Sequence, residues 1–468
     1  MNLPILIALQ WMGNALAFPH RGELPRPTSI AWEPGRATDV LVIKLREDQG
    51  LQFENGVLTG PKDITVLQQA LQNASPLFKR DPTSIRADRA TFDPEKRLSD
   101  LTTYLQIRSP NAVAIGNQLL QDPRVETAYL AFLPVAPPVD IPPTTPDFSE
   151  NQAYLTAAPD GFGFDEGPLW PGGRGENVAI ADIEYGWDPE HEDLAATQNA
   201  TTWGTNYGYY AYHGNAVLGE LFGEDNGYGI VGMVPDAEPL VGSPYTDAGQ
   251  YNVAAAIEGV ASMLDAGDVI LIEQQSSIFG TYCPVEIDPA VFDAIALAVA
   301  KGIVVVEPSG NGALDLDDAS LEGWFDPELQ DSGAIMVGGG ASPLSGHDPR
   351  TWFFQGSAYG ARIDVQGWYD SIVTATNGDY SPDLFYPNND DRQAYTASFG
   401  GTSGASPMVA AVAAIANSVA WETWGAPWDP ADLRAAMIST GTPQPADDLV
   451  HIGPQPDLKR LLRTWGTR

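Results

Sequence analysis

Gly401-Thr402-Ser403-Gly404-Ala405-Ser406-Pro407 places a serine in a tight glycine turn, directly ahead of the apolar, alanine-rich run Met408 to Ala416. That run predicts a helix. A serine at its N-terminus lies at the positive end of the helix dipole, with its own backbone N–H free to receive an oxyanion. This is the chemistry of a nucleophile, which needs a base, and the base needs an orienting carboxylate. Five histidines are available: His20, His191, His213, His347 and His451. His20 adjoins a predicted cleavage site, and His347 and His451 sit in loops with no helix following. His191 would need a second histidine at 195 for a zinc motif, and position 195 is Ala. His213 remains, opening a small-residue helix after an aromatic loop. For the carboxylate, Glu176-Asn177-Val178-Ala179-Ile180-Ala181-Asp182 predicts a buried parallel strand that ends in an acid. Acids at such strand ends face the crevice where α/β proteins place their sites. Asp182 ends the apolar strand directly and is preferred; Glu184, two positions on, is the rival.

The seven-residue string resembles the nucleophile motif of subtilisin-like serine proteases (subtilases), whose chain order is Asp, His, Ser. His213-Gly214-Asn215-Ala216-Val217-Leu218-Gly219 resembles the family's His-Gly-Thr-x-Val-Ala-Gly, with Asn215 for Thr and Leu218 for Ala. Asp182 to Gly186, followed by His191-Glu192-Asp193-Leu194, resembles its Asp-x-Gly turn and His-Pro-Asp-Leu, with extra residues before the glycine. The β-branched strand Ile303-Val304-Val305-Val306 leads to Ser309-Gly310-Asn311. There the resemblance implies an asparagine amide that donates to the oxyanion, and so assigns Asn311. It implies a site of Asp182, His213, Ser403 and Asn311, acting on protein or peptide substrates with no cofactor required. Aligned on Val269-Ile270-Leu271-Ile272, the strand beside the substrate carries Glu273 and Gln274; Ser309 and Gly310 are placed with them as substrate-binding residues. Glu273 and Glu307 together predict a pocket for a basic side chain, unless one of them is protonated or bonded to backbone. Structural calcium is open on the same grounds, since Asp193 matches a residue that ligates calcium in many members; the metal is left unassigned.

Other matches lack their context. Gly227-Tyr228-Gly229-Ile230-Val231-Gly232 fits a dinucleotide pattern, but Met233-Val234-Pro235 follows where a helix is required. Asp315, Asp317 and Asp318 suggest a calcium loop, but Ala319 holds the next ligand position of an EF-hand.

The elements that must position these residues are alternating strands and helices from residue 151 onwards, among them helices over 289–300, 406–419 and 429–438. They predict an α/β, doubly wound, mainly parallel sheet. Ahead of it, strands at 39–45 and 125–131 with a helix-like stretch at 116–120 predict a small α+β unit over 18–133. A Pro-rich linker (134–150) joins it to a peptidase domain (151–468). The arrangement resembles a subtilase propeptide, an internal partner of its own enzyme, the alternative being a permanent N-terminal domain. Residues 1–17 form a short apolar run ending in Ala15-Leu16-Ala17, which predicts a signal peptide and hence a secreted protein.

The 468 residues carry a net charge of −37, almost all of it after residue 140. Residues 1–140 hold 14 basic and 15 acidic side chains; 141–468 hold 10 and 46. Such a surface repels nucleic acid and anionic membranes, so neither is an expected partner. Cys283 is the single cysteine, which excludes an intrachain disulfide. The sequence thus predicts a secreted serine endopeptidase. Two alternatives stand beside it: an inactive subtilase-shaped binding protein, and an acid-active peptidase of the sedolisin type.

Overall fold

The computed structural model describes residues 24, 26–54, 56–61, 63–133, 145–246, 248–353, 356–378 and 384–465. The expected signal peptide and most of the Pro-rich linker lie outside the described residues.

The N-terminal unit is built from β1 (Arg36–Leu45), β2 (Gln52–Glu54), β3 (Val57–Thr59), α1 (Thr65–Ala70), β4 (Ala74–Pro76), α2 (Pro82–Phe92), β5 (Tyr104–Arg108), α3 (Ala112–Leu119) and β6 (Val125–Phe132). Its antiparallel sheet has the order β4-β5-β1-β6. Alternation along β1 divides the two faces. Leu41, Ile43 and Leu45 pack inward with Leu105, Ile107 and α3, while Val42 faces the rest of the molecule.

The large unit contains β7 (Ala179–Ile183), β8 (Thr201–Trp203), α4 (Ala211–Phe222), β9 (Glu238–Gly242), α5 (Val253–Ala261), β10 (Val269–Ile272), β11 (Gln275–Ile278), β12 (Thr281–Pro284), α6 (Pro289–Ala300), β13 (Val304–Pro308), β14 (Ile335–Gly340), β15 (Val365–Trp368), β16 (Ile372–Ala375), β17 (Tyr395–Phe399), α7 (Thr402–Trp424), α8 (Pro430–Thr440) and α9 (Leu458–Trp465). Seven of these strands form a parallel sheet in the order β15-β14-β13-β10-β7-β9-β8. This is the predicted α/β class. The order reverses at β7, because β8 and β9 add on one side and β10 onwards on the other. The crevice at the carboxyl ends of β7 and β10 is therefore the topological switch point, where such sheets bind ligands.

Strand parity assigns the two layers. Val178, Ile180, Leu271, Val304 and Val306 face α4 and α7; Ala181, Ile183, Ile270, Val305 and α5 and α6 make up the other side. Helix α7 is buried from Thr402 to Ala420. By length and composition it could cross a membrane, which the sequence reading did not anticipate, but here its apolar surface is enclosed by the core. The helix α9 and the β11–β12 hairpin were also not anticipated.

The N-terminal unit packs against α5 and α6. Val42, Leu77, Phe78 and Tyr104 join the core formed with those helices. The Tyr104 hydroxyl lies 2.6 Å from Asp293 Oδ2, and Arg80 pairs with Glu258 at 2.7 Å. The Asn252 side-chain amide donates to the Leu77 carbonyl at 3.0 Å.

Candidate active site

Ser403 is the second residue of α7, entered through Gly401 at φ +83°. That left-handed turn favours glycine. It leaves the Ser403 N–H in the first turn of the helix, where no preceding carbonyl can accept it. Asn311 follows β13 and lies against this turn. Its Oδ1 accepts from Thr402 N at 2.9 Å, and its own backbone N–H donates to Gln275 Oε1 at 2.9 Å. With Oδ1 so engaged, the amide is turned with its NH₂ group available.

His213 lies in the first turn of α4. Helix α4 approaches the loop after β7 closely: a Cβ on Gly214 would sit 2.3 Å from the Gly186 carbonyl oxygen. Glycine at 214 is what lets the imidazole reach that loop. His213 Nδ1 lies 2.6 Å from Glu184 Oε1, and Glu184 Oε2 accepts from Tyr185 N at 3.1 Å. His213 Nε2 has no hydrogen-bond partner within the protein.

The expected acid, Asp182, is not at the imidazole. Both its oxygens are buried without a hydrogen-bond partner. The reason is register. Asp182 and Glu184 share a face of β7, but Asp182 is two residues, about 6.6 Å, deeper in the sheet. Glu184 is the acid just past the strand end, where the crevice opens. A sequence signal existed: Glu184-Tyr185-Gly186 keeps the acid-x-Gly spacing without extra residues.

The expected specificity residues also take other positions. Ile183 pairs with Ile272 across β7 and β10, so Glu273 emerges opposite Glu184. One ligand-capable atom from each of Glu184, His213 and Glu273 lies within 4.8 Å of the others. We assign no metal ligand there, because the shortest edge of that triangle is the Glu184–His213 hydrogen bond. Gln274 turns away, donating to the carbonyls of Ile183 (3.1 Å) and Glu273 (2.9 Å) and accepting from Tyr251 (2.9 Å). Glu307 has the opposite parity from Val306. It lies beneath the sheet, where Oε1 accepts from Glu286 N at 3.0 Å beside the buried Arg362–Glu286 pair (2.8 Å). The Ser309 hydroxyl is buried against Ser357 at 3.3 Å, and Gly310 (φ +92°) packs on the backbone of Cys283. An acidic pocket wall of Glu273 and Glu307 is therefore not what these side chains form.

Asp193 does not fit a calcium ion. Its Oδ1 accepts from the Asn226 amide at 2.7 Å and its Oδ2 from Ile230 N at 2.8 Å. Calcium needs six to eight oxygen ligands, whereas N–H donors occupy this carboxylate. His191 is likewise satisfied internally, by the Ala394 carbonyl at 2.9 Å and the Asp193 N–H at 3.2 Å.

Residues 173–452 match the model of the subtilase family. The chain belongs to that family. It is a serine-type endopeptidase by that membership. An intracellular serine protease of Paenibacillus polymyxa is 25% identical over 309 residues, 63% of this chain and 83% of that protein. Subtilisin DY of Bacillus licheniformis is 28% identical over 247 residues, covering 52% and 78%. The solved structure of fervidolysin from Fervidobacterium pennivorans, described as a keratinolytic enzyme related to subtilisin, superposes with a TM-score of 0.56 at 14% identity. That match covers 93% of this chain and 62% of fervidolysin, and it supports the fold alone.

Electrostatically, the site of this subtilase lies over a group of buried acids. Asp182, Glu184, Glu220 and Glu273 are all buried, and burial holds each well above the ordinary carboxylate range. Asp193 is raised to about 6, again chiefly by burial. Burial pushes the His213 imidazole down to about 3, so it is neutral and able to accept a proton. These shifts predict the pH dependence of stability. A carboxyl with a raised folded pKa binds more protons folded than unfolded, so stability falls as pH rises through the window that begins near the unfolded value of about 4. Glu47 and Asp331, held low with Lys44, Arg89, Arg362 and Arg434 nearby, lose their contribution below that window. Thermal unfolding should therefore give its highest midpoint at about pH 5 and a lower one at about pH 8. A midpoint that rises from pH 5 to pH 8 would contradict this.

Proposed function

We propose that this subtilase is secreted and cleaves peptide bonds through an acyl-enzyme on Ser403, with His213 as general base and Glu184 as the acid that orients it. The observation that carries this is the 2.6 Å contact between His213 Nδ1 and Glu184 Oε1, at the crevice that α7 enters with Ser403. Ser403 Oγ attacks the substrate carbonyl carbon. Its proton passes to the free Nε2 of His213, and the carbonyl π electrons move to oxygen. Glu184 fixes the proton on Nδ1 and balances the imidazolium that forms. The Ser403 N–H and the Asn311 side-chain amide donate to the oxyanion. The imidazolium then protonates the leaving amine, and water repeats the sequence on the ester.

The N-terminal unit is assigned as an inhibitory propeptide. Its sheet packs on α5 and α6 and its β1 begins beside β11, since a Cβ on Gly35 would lie 3.3 Å from that of Ser277. The Paenibacillus polymyxa relative is a serine protease by name, which supports the same substrate class. The decisive experiment is digestion of an unstructured protein such as casein, combined with fluorophosphonate labelling and mapping of the mature N-terminus. Hydrolysis with label on Ser403 is expected. A processed, folded protein that neither hydrolyses nor takes label would overturn the assignment.

A further inference from the structure

Four buried carboxyl groups lie near one another beneath the site, two of them beside His213, and their hydrogen bonds distinguish them. Glu184 has two N–H donors at its oxygens, from His213 and Tyr185. Asp182, Glu220 and Glu273 have no hydrogen-bond partner at either oxygen. A buried carboxylate is stable only when donors surround it, and like charges at close range cannot all ionise. Glu184 is therefore the member of the cluster best able to carry negative charge, and the other three are the ones that favour the protonated form.

Glu273 differs from Asp182 and Glu220 in what it faces. It lies across from Glu184 at the end of β10, within 4.8 Å of both Glu184 and His213. Burial raises the Glu273 carboxyl and the neighbouring Ser403 hydroxyl only partly opposes that rise; in the resting site neither carboxyl oxygen has a hydrogen-bond partner. Glu273 is only 2% exposed, so water does not compete for the contact.

We propose that Glu273 is a catalytic residue of this peptidase: a neutral carboxylic acid whose O–H donates to the Ser403 oxygen as that oxygen gives up its proton and attacks. The proposal rests on the reading of Ser403, His213 and Glu184 given above. The proton of Ser403 still travels to His213 Nε2, and Glu273 keeps its own proton throughout, so no net proton is added to the cycle. Its O–H stabilises negative charge on Oγ at the instant of attack and again when Oγ leaves the acyl carbon. An ionised Glu273 would place a second negative charge beside Glu184 and against the attacking oxygen. The groups that bear on its titration are Asp182 and Glu184 from β7 and its following loop, His213 and Glu220 from α4, and Ser403 from α7. Burial and the three neighbouring acids all raise its pKa. The consequence is an enzyme that works while Glu273 is protonated and declines on the alkaline side as it ionises.

Two substitutions separate this role from a structural one. Glutamine keeps an N–H donor in the same place and cannot ionise; alanine has no donor. With kcat measured across pH, well below the melting temperature, Glu273→Gln should lose about tenfold at the optimum and lose the alkaline limb. Glu273→Ala should lose about 10²–10³ at every pH, the range for removing one preorganised donor. Infrared difference spectra of wild type against Glu273→Gln should show a protonated carboxyl stretch at neutral pH, a readout that needs no activity. The proposal is overturned if Glu273→Gln keeps the alkaline limb, if it falls as far as the alanine variant, or if the infrared band is that of a carboxylate. Fluorophosphonate labelling runs in parallel. A wild type that does not label overturns the triad and this proposal together. A labelled wild type with any of the three adverse results overturns Glu273 alone.

Discussion

Ser403→Ala is expected to lower peptide hydrolysis by about 10⁶, because triad members act as a unit and the loss of one removes most of what all three supply. The alanine keeps the helix start and the Gly401 turn, so stability should be little changed. The residual rate should still exceed the uncatalysed one, since the Asn311 amide and the N–H of residue 403 remain to receive the oxyanion. A second readout follows if the N-terminal unit is removed by the enzyme itself: the variant should accumulate as the uncut chain in a protease-free host. Steady-state hydrolysis, with the chain length seen on a denaturing gel, measures both. A variant that hydrolyses within tenfold of wild type would remove Ser403 from the mechanism.

Glu184→Gln is expected to cost about 10⁴ in kcat, the scale of replacing the orienting acid of a serine protease by its amide. The amide can present its NH₂ group to Nδ1, which forces the proton onto Nε2 and blocks the base. Asp182→Asn should cost far less, because its oxygens make no hydrogen bond to the imidazole. It removes a buried ionisable group whose burial already disfavours its charge, so the variant should be at least as stable as wild type at alkaline pH. Comparing kcat for the two variants decides which acid serves His213. Equal losses, or the larger loss at 182, would overturn the assignment of Glu184.

The α/β class, the nucleophile turn and the histidine helix are written in contiguous residues. Gly401-Thr402-Ser403 specifies its own turn, and His213-Gly214 specifies a helix start that can come close to a neighbouring loop. Asn311 was reached through the family resemblance, from its place after a β-branched strand and a glycine, and the structure sets it against the Gly401 turn. Local chemistry of that kind survives without knowledge of what packs where. The choice between Asp182 and Glu184 was not local. Both are acids on one face of one strand, and the outcome depends on where β7 ends relative to α4, a distance of two residues that no pattern of apolar positions fixes. Likewise Glu273 and Glu307 both end buried strands, yet the parity of each strand sends one toward Ser403 and the other beneath the sheet. The Ile183–Ile272 register then brings Glu184 and Glu273 together across 89 positions of chain. The sequence by itself determined which kinds of group the site contains. Only the tertiary structure decided which carboxyl meets the imidazole and which lies across from it, because burial, strand parity and inter-strand register exist only once the sheet is assembled.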